Sequence, residues 1–181
     1  MAISDFVKRK LAMAFYRFDR NKDGVVDEAD FTTLGAAVAA LQGVEEGTEQ
    51  HRKIVAAHQT WWAAYFKGGD ADGDGKVTLE EYFAHVGAWV GADAEAMAHA
   101  IAGNELVFDA IDVNGDGALS PGEFSAYLQA YGLTDADARA AFSHLDLDGE
   151  GTMSRAEFAK NISAYYISEA RGPSEWFFGG H

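Results

Sequence analysis

Apolar residues recur at helical spacing along most of this chain. Ile3, Phe6, Val7, Leu11, Phe15 and Phe18 share one face of a first helix, and SDFVKRK supplies its polar face. The same period returns in His58–Trp61–Trp62–Tyr65, in Tyr82–His85–Trp89, in Phe108…Ile111 and in Phe124…Leu128…Tyr131. The spacing predicts a helix from about Glu28 to Leu41, a solvated break at GVEEGT (43–48), and a long helix reaching about Lys67. Gly68–Gly69 should loosen the end of that long helix. Thr134-Asp-Ala-Asp137 resembles a capping box with Asp in place of Glu. Gly172-Pro173 is expected to stop the last helix. The chain reads as all-α.

The breaks between helices are repeats. Four twelve-residue segments align: DRNKDGVVDEAD (19–30), DADGDGKVTLEE (70–81), DVNGDGALSPGE (112–123) and DLDGEGTMSRAE (146–157). Each has Asp at position 1, Asp or Asn at 3, an acid at 5, Gly at 6 and an acid at 12. An aromatic stands four residues before each loop (Phe15, Phe66, Phe108, Phe142) and another just after it (Phe31, Tyr82, Phe124, Phe158). Four such loops with matching flanks form the EF-hand calcium pattern, helix–loop–helix four times over.

Each slot has a physical reason. Ca²⁺ takes six to eight oxygens at about 2.3–2.6 Å, and short acids or amides at positions 1, 3 and 5 aim oxygens at one centre. Gly at 6 allows the left-handed bend. The position-7 carbonyl is a ligand, so its side chain varies, whereas position 8 is apolar in every copy (Val26, Val77, Leu119, Met153) and suits a short ladder between neighbouring loops.

The candidate ligands follow loop by loop. Loop one offers Asp19, Asn21, Asp23, Val25, Asp27 and Asp30; loop two offers Asp70, Asp72, Asp74, Lys76, Thr78 and Glu81. Loop three offers Asp112, Asn114, Asp116, Ala118, Ser120 and Glu123; loop four offers Asp146, Asp148, Glu150, Thr152, Ser154 and Glu157. Up to four Ca²⁺ ions are expected. Asp30 is shorter than the Glu of the other loops, which favours lower coordination and Mg²⁺ at loop one. Glu150 is one methylene longer than the usual Asp and should crowd loop four.

Composition narrows the picture. The 181 residues carry 29 acids against 14 Lys and Arg, a formal charge of −15. That sign disfavours nucleic acid and anionic membranes and favours cations. Cysteine is absent, which removes disulfides and thiolate chemistry. The start, MAISDFVKRK, lacks an apolar secretory core, Ala2 is not the glycine of myristoylation, and IVAAHQTWWAAYF (54–66) is too short to span a bilayer. A cytoplasmic monomer is the expectation. No phosphate-cradling glycine loop, nucleophile elbow or HExxH motif is present, so no catalytic or organic-cofactor site is expected and the chain does not read as an enzyme.

Loops should work in pairs, giving halves of 1–91 and 92–181 joined at Gly91, with Asp93 capping the next helix and no flexible spacer. Compact packing of the halves is expected rather than a dumbbell. The four loops, the long first interval and the aromatic ending PSEWFFG resemble the sarcoplasmic calcium-binding proteins and calerythrin, in particular their actinobacterial members. This resemblance covers the whole chain and implies a compact globular fold with a calcium buffering or transport role. Loop two departs from the family by being intact where one or more loops are often degenerate.

Two alternatives stand beside the buffer. A sensor would open a groove for a target protein, but Met13 and Met97 are the only methionines outside the start and the loops. A luciferin-like cavity could be lined by His58, Trp61, Trp62, Tyr65, Tyr82, His85 and Trp89; the plainer reading is an aromatic core with satisfied histidines. The remaining histidines, His51, His99, His144 and His181, read as surface residues. Trp176, Phe177 and Phe178 are expected to fold back and plug a cleft between the halves, against the alternative of a contact between two copies.

Overall fold

Residues 3–89 and 105–179 are described by the computed structural model. The first half contains α1 (Asp5–Phe18), β1 (Val25–Val26), α2 (Glu28–Leu41), α3 (Glu49–Trp61), β2 (Val77–Thr78) and α4 (Leu79–Trp89). The second contains α5 (helical over 105–111), β3 (Ala118–Leu119), α6 (Pro121–Ala130), α7 (Asp135–Leu145), β4 (Met153–Ser154) and α8 (Arg155–Ile167). Gly91, Asp93, Met97, His99 and His181 lie outside the described residues.

Local chemistry starts the helices. The Ser4 hydroxyl accepts from the Val7 amide, and Thr48 does the same for His51. Pro121 sits at the first position of α6, where no amide is needed. Thr134 makes half of the expected box. Its hydroxyl accepts from the Asp137 amide at 3.1 Å and donates to the Asp137 carboxylate at 2.7 Å. The Asp side chain stops at the hydroxyl, and no bond from it to the Thr134 amide forms.

Two helices end earlier than the sequence pattern suggests. The long third helix loses α geometry at Trp62, becomes π over Trp62–Phe66 and 3₁₀ over Lys67–Gly69. The cause lies in packing: His85 of α4 presses against Gly68 and Gly69 and bonds the Tyr65 carbonyl at 2.9 Å. The last helix stops at Ile167, and Pro173 starts a separate 3₁₀ segment, Pro173–Phe178, rather than following a helix end.

The loops pair as the apolar eighth position predicts. Val26 lies opposite Val77, and Leu119 opposite Met153, in two antiparallel ladders. Below each ladder the flanking aromatics exchange partners. Phe15 packs on Tyr82 and Phe31 on Phe66 in one half; Phe108 packs on Phe158 and Phe124 on Phe142 in the other. Each ring before one loop thus meets the ring after its partner loop. All eight are buried. A single loop would leave two of these rings exposed, so the pair is the unit that closes a core.

The two halves are packed, not strung apart. Side chains of the first half cap the end of α5 in trans: Lys53 donates to the Asp109 carbonyl (2.8 Å), Gln50 to Ala110 (3.1 Å) and Gln42 to Ile111 (3.0 Å). The Tyr165 hydroxyl donates to the Lys10 carbonyl at 2.6 Å. Helix α2 lies on α6, and α1 on α8. The 3₁₀ tail fills the seam: Phe177 and Phe178 are fully buried, and Phe178 packs on Phe18 of α1, Tyr131 beside α6 and Tyr165 of α8.

Candidate metal centres

In each loop the position-1 Asp takes backbone amides from inside the turn. Asp19 accepts from Asp23 and Gly24, Asp70 from Gly73 and Gly75, Asp112 from Gly115, Asp116 and Gly117, and Asp146 from Gly149 and Gly151. These bonds wind the chain around a centre. The sixth-position glycines make the bend, with φ between +85° and +89°. A second left-handed residue stands at position 4: Gly73, Gly115 and Gly149, but Lys22 in loop one, at φ +61°. The sequence reading passed over this slot, although DADG, DVNG and DLDG against DRNK carry the signal.

Position 12 bridges each loop. One oxygen accepts from the position-2 amide and the other from the position-9 amide. Glu81 takes Ala71 and Thr78 (3.1 and 2.8 Å), Glu123 takes Val113 and Ser120 (3.0 and 2.9 Å), and Glu157 takes Leu147 and Ser154 (both 3.0 Å). Asp30 makes the same pair of bonds, with Arg20 and Asp27 at 3.0 Å each. The shorter side chain still reaches both amides; Asp30 is buried, and burial pushes its carboxyl up despite amide bonds from Asp27 and Arg20. By contrast, the amide and hydroxyl of Thr78 pull Glu81 below the usual carboxylate range. Glu157 also lies low, where burial is outweighed by bonds from Ser154 and Leu147.

The same residues cap the exiting helices. Asp27, Ser120 and Ser154 are N-caps, with Asp30, Glu123 and Glu157 as their reciprocal partners. One carboxylate therefore closes the metal loop and starts the helix, so loop shape and helix direction are tied at that residue.

Two loops gather carboxylates tightly. Oxygens of Asp70, Asp72 and Asp74 lie within 4.8 Å of one another, as do those of Asp146, Asp148 and Glu157. Ligands across a Ca²⁺ ion stand about 5 Å apart, twice its bond length, so both clusters fit one ion. Loops one and three place Asn21 and Asn114 at position 3, each donating to the position-5 Asp (3.1 and 2.9 Å). In loop four Glu150 stands apart from the cluster and accepts from the Thr152 hydroxyl at 3.1 Å. The position-5 acids of the other loops accept instead from the position-7 amide at 2.8–3.1 Å. The extra methylene carries the Glu150 carboxylate past that amide.

Comparison with known proteins agrees with this geometry. A model of the EF-hand domain pair matches residues 104–163, and an EF-hand model matches residues 12–34 and 63–82. Calerythrin of Saccharopolyspora erythraea is 25% identical over 136 residues, covering 74% of this chain and 77% of that protein. Sarcoplasmic calcium-binding proteins II, V, VI and VII of Branchiostoma lanceolatum are 25% identical over 146 residues, covering 78% of each. This chain is an EF-hand protein, similar to calerythrin and the sarcoplasmic calcium-binding proteins.

Among solved structures, this EF-hand chain resembles a Streptomyces coelicolor calcium-binding protein (26% identity, TM-score 0.77, covering 91% of this chain and 99% of that one). The coelenterazine-binding protein of Renilla muelleri shares the fold (24%, TM-score 0.79, 99% and 100%). A mitochondrial adenyl nucleotide antiporter of Bos taurus matches at 30% over 126 residues, but this chain spans only 21% of its length. Calcium binding through EF-hand loops, rather than enzymatic catalysis, is the chemistry of this chain. Among the described residues, no helix is long and apolar enough to cross a membrane.

Proposed function

We propose that this EF-hand protein is a monomeric cytoplasmic calcium buffer whose hydrophobic cleft is filled by its own tail. The carrying observation is the burial of Phe177 and Phe178 in the seam. Phe177 packs on Phe124 and Phe158, the residues directly after loops three and four, and Phe178 packs on Phe18, directly before loop one. A sensor offers such rings to a partner when calcium arrives; here the place is taken within the chain. The halves 1–91 and 92–181 act as two loop pairs. The residues assigned to the four loops hold up to four Ca²⁺ ions, with Mg²⁺ competing at loop one through Asp30.

The deciding experiment compares the full chain with a variant lacking 173–181. Binding of a hydrophobic fluorescent probe should stay low in the full chain with and without Ca²⁺ and rise in the truncated one. Strong calcium-dependent probe binding by the full chain would instead favour the sensor. That second reading draws on the Streptomyces coelicolor structure, described as a basis for calcium-mediated regulation. A luciferin-like cavity finds less support, because rings that would line it pack on one another and on the core: Trp61 on Tyr65, Phe18 and Phe31, and Tyr82 on Phe66. For loop one, calorimetry of Asp30→Glu should shift selectivity toward Ca²⁺; unchanged affinities for both ions would remove the Mg²⁺ assignment.

A further inference from the structure

Away from the loops, α1, Arg171 and the start of the tail border a half-open cavity of about 460 Å³. Phe6 and Met13 give it an apolar wall, Arg9, Lys10 and Arg171 bring three cations, and Glu175 stands at its edge, where its carboxylate pairs with Arg171 at 3.9 Å. Three of the chain's 14 basic residues thus converge on one hollow in a protein of charge −15. Lys10 is the unusual member. It is only 4% exposed, and its ammonium donates to the Ser168 carbonyl at 2.7 Å and lies over the Phe6 and Tyr165 rings. Glu175 and Glu169 act on it through space, yet among the described residues no carboxylate forms an ion pair with it. An ammonium so buried has three donors and, among the described residues, one carbonyl acceptor and no ion-paired carboxylate.

We infer that this cavity binds a small amphipathic monocarboxylate, its carboxylate held by Lys10 with Arg9 and Arg171 and its apolar tail laid against Phe6 and Met13. The volume lies in the range of small-ligand sites. Guanidinium groups match a planar carboxylate, and the ammonium adds a point charge. The acid at the rim selects the charge of the ligand: Glu175 would repel a dianion such as phosphate more than a monoanion. The site is separate from the calcium loops, since none of its lining residues among the described ones belongs to a loop.

The test titrates the full calcium-loaded chain with 4-phenylbutyrate, a soluble acid with an aromatic tail, by calorimetry and by the methyl NMR signal of Met13. One saturable site and a shifted Met13 signal are expected. The neutral alcohol 4-phenylbutanol should bind at least tenfold more weakly, and acetate and inorganic phosphate should not compete at equal concentration. Lys10→Met should weaken 4-phenylbutyrate at least tenfold. Arg171→Gln, at an exposed position that the fold tolerates, should weaken it several-fold and serves if Lys10→Met does not fold. Absence of saturable binding would overturn the inference. So would equal affinity for the alcohol, or unchanged affinity in the Arg171 variant.

Discussion

Lys22 holds a left-handed backbone that glycine adopts freely, in the one loop whose fourth position is not glycine. The strain of an L-residue there is about 1 kcal/mol, partly offset by the greater entropy glycine loses on folding. Lys22→Gly is expected to stabilise loop one by roughly 0.5 kcal/mol and to tighten its calcium binding about twofold, read by calorimetry. His58 makes the opposite kind of compromise. Its ring is fully buried and its Nδ1–H donates to the Ile54 carbonyl at 2.8 Å, while Nε2 has no hydrogen-bond partner among the described residues. Burial lowers its pKa from 6.5 to about 4. The folded state therefore prefers neutral His58. Its stability is fully present above pH 6.5 and is lost as pH falls toward 4, by up to about 3 kcal/mol. Urea unfolding of metal-free protein should show this loss, and His58→Gln should flatten it. The plain reading of satisfied core histidines holds for one nitrogen of His58 and not for the other; residue type and spacing do not reveal which atoms find partners.

Among the elements, the helix entering loop two changes geometry to fit a neighbour. A Cβ at Gly68 would stand 2.9 Å from His85 Cε1, on a ring anchored to the Tyr65 carbonyl. Gly68→Ala should cost about 1–3 kcal/mol through overpacking and weaken site two. The cost should shrink in a His85→Ala background, measured as a double-mutant cycle by urea unfolding. The glycines announced a loose end; the π turn from Trp62 was not legible, because it answers a side chain some twenty residues away. The sixth-position bends and the caps of the loops were legible, since they are set within twelve residues, whereas the left-handed fourth position was not. The trans caps from Gln42, Gln50 and Lys53 to the end of α5 were not, because a bond from a side chain to a distant carbonyl leaves no period in the sequence.

At the scale of the molecule, the tail ties both halves together. Its Trp176 stacks on His144, with ring centres 4.0 Å apart, so this histidine, exposed as its surface reading expects, also holds the tail. Phe178→Ala should cost about 3–5 kcal/mol as a buried aromatic truncation, visible as a lower unfolding temperature in the calcium-loaded protein. The assignment of four paired loops, the compact union of halves and the inward fold of WFF could all be anticipated. The seam in which those rings rest could not, since its walls come from α1, α6 and α8 together. This closure also orders the route by which the chain reaches its native state. The bonds from Tyr165 to Lys10 and from Lys10 to Ser168 join residues 155 and 158 positions apart, whereas each ladder joins neighbouring loops. Distant contacts carry the larger loop-closure cost, so the loop pairs should assemble early and the seam last. Until that last step the cleft rings lie open, and a chain halted there is the species most exposed to aggregation.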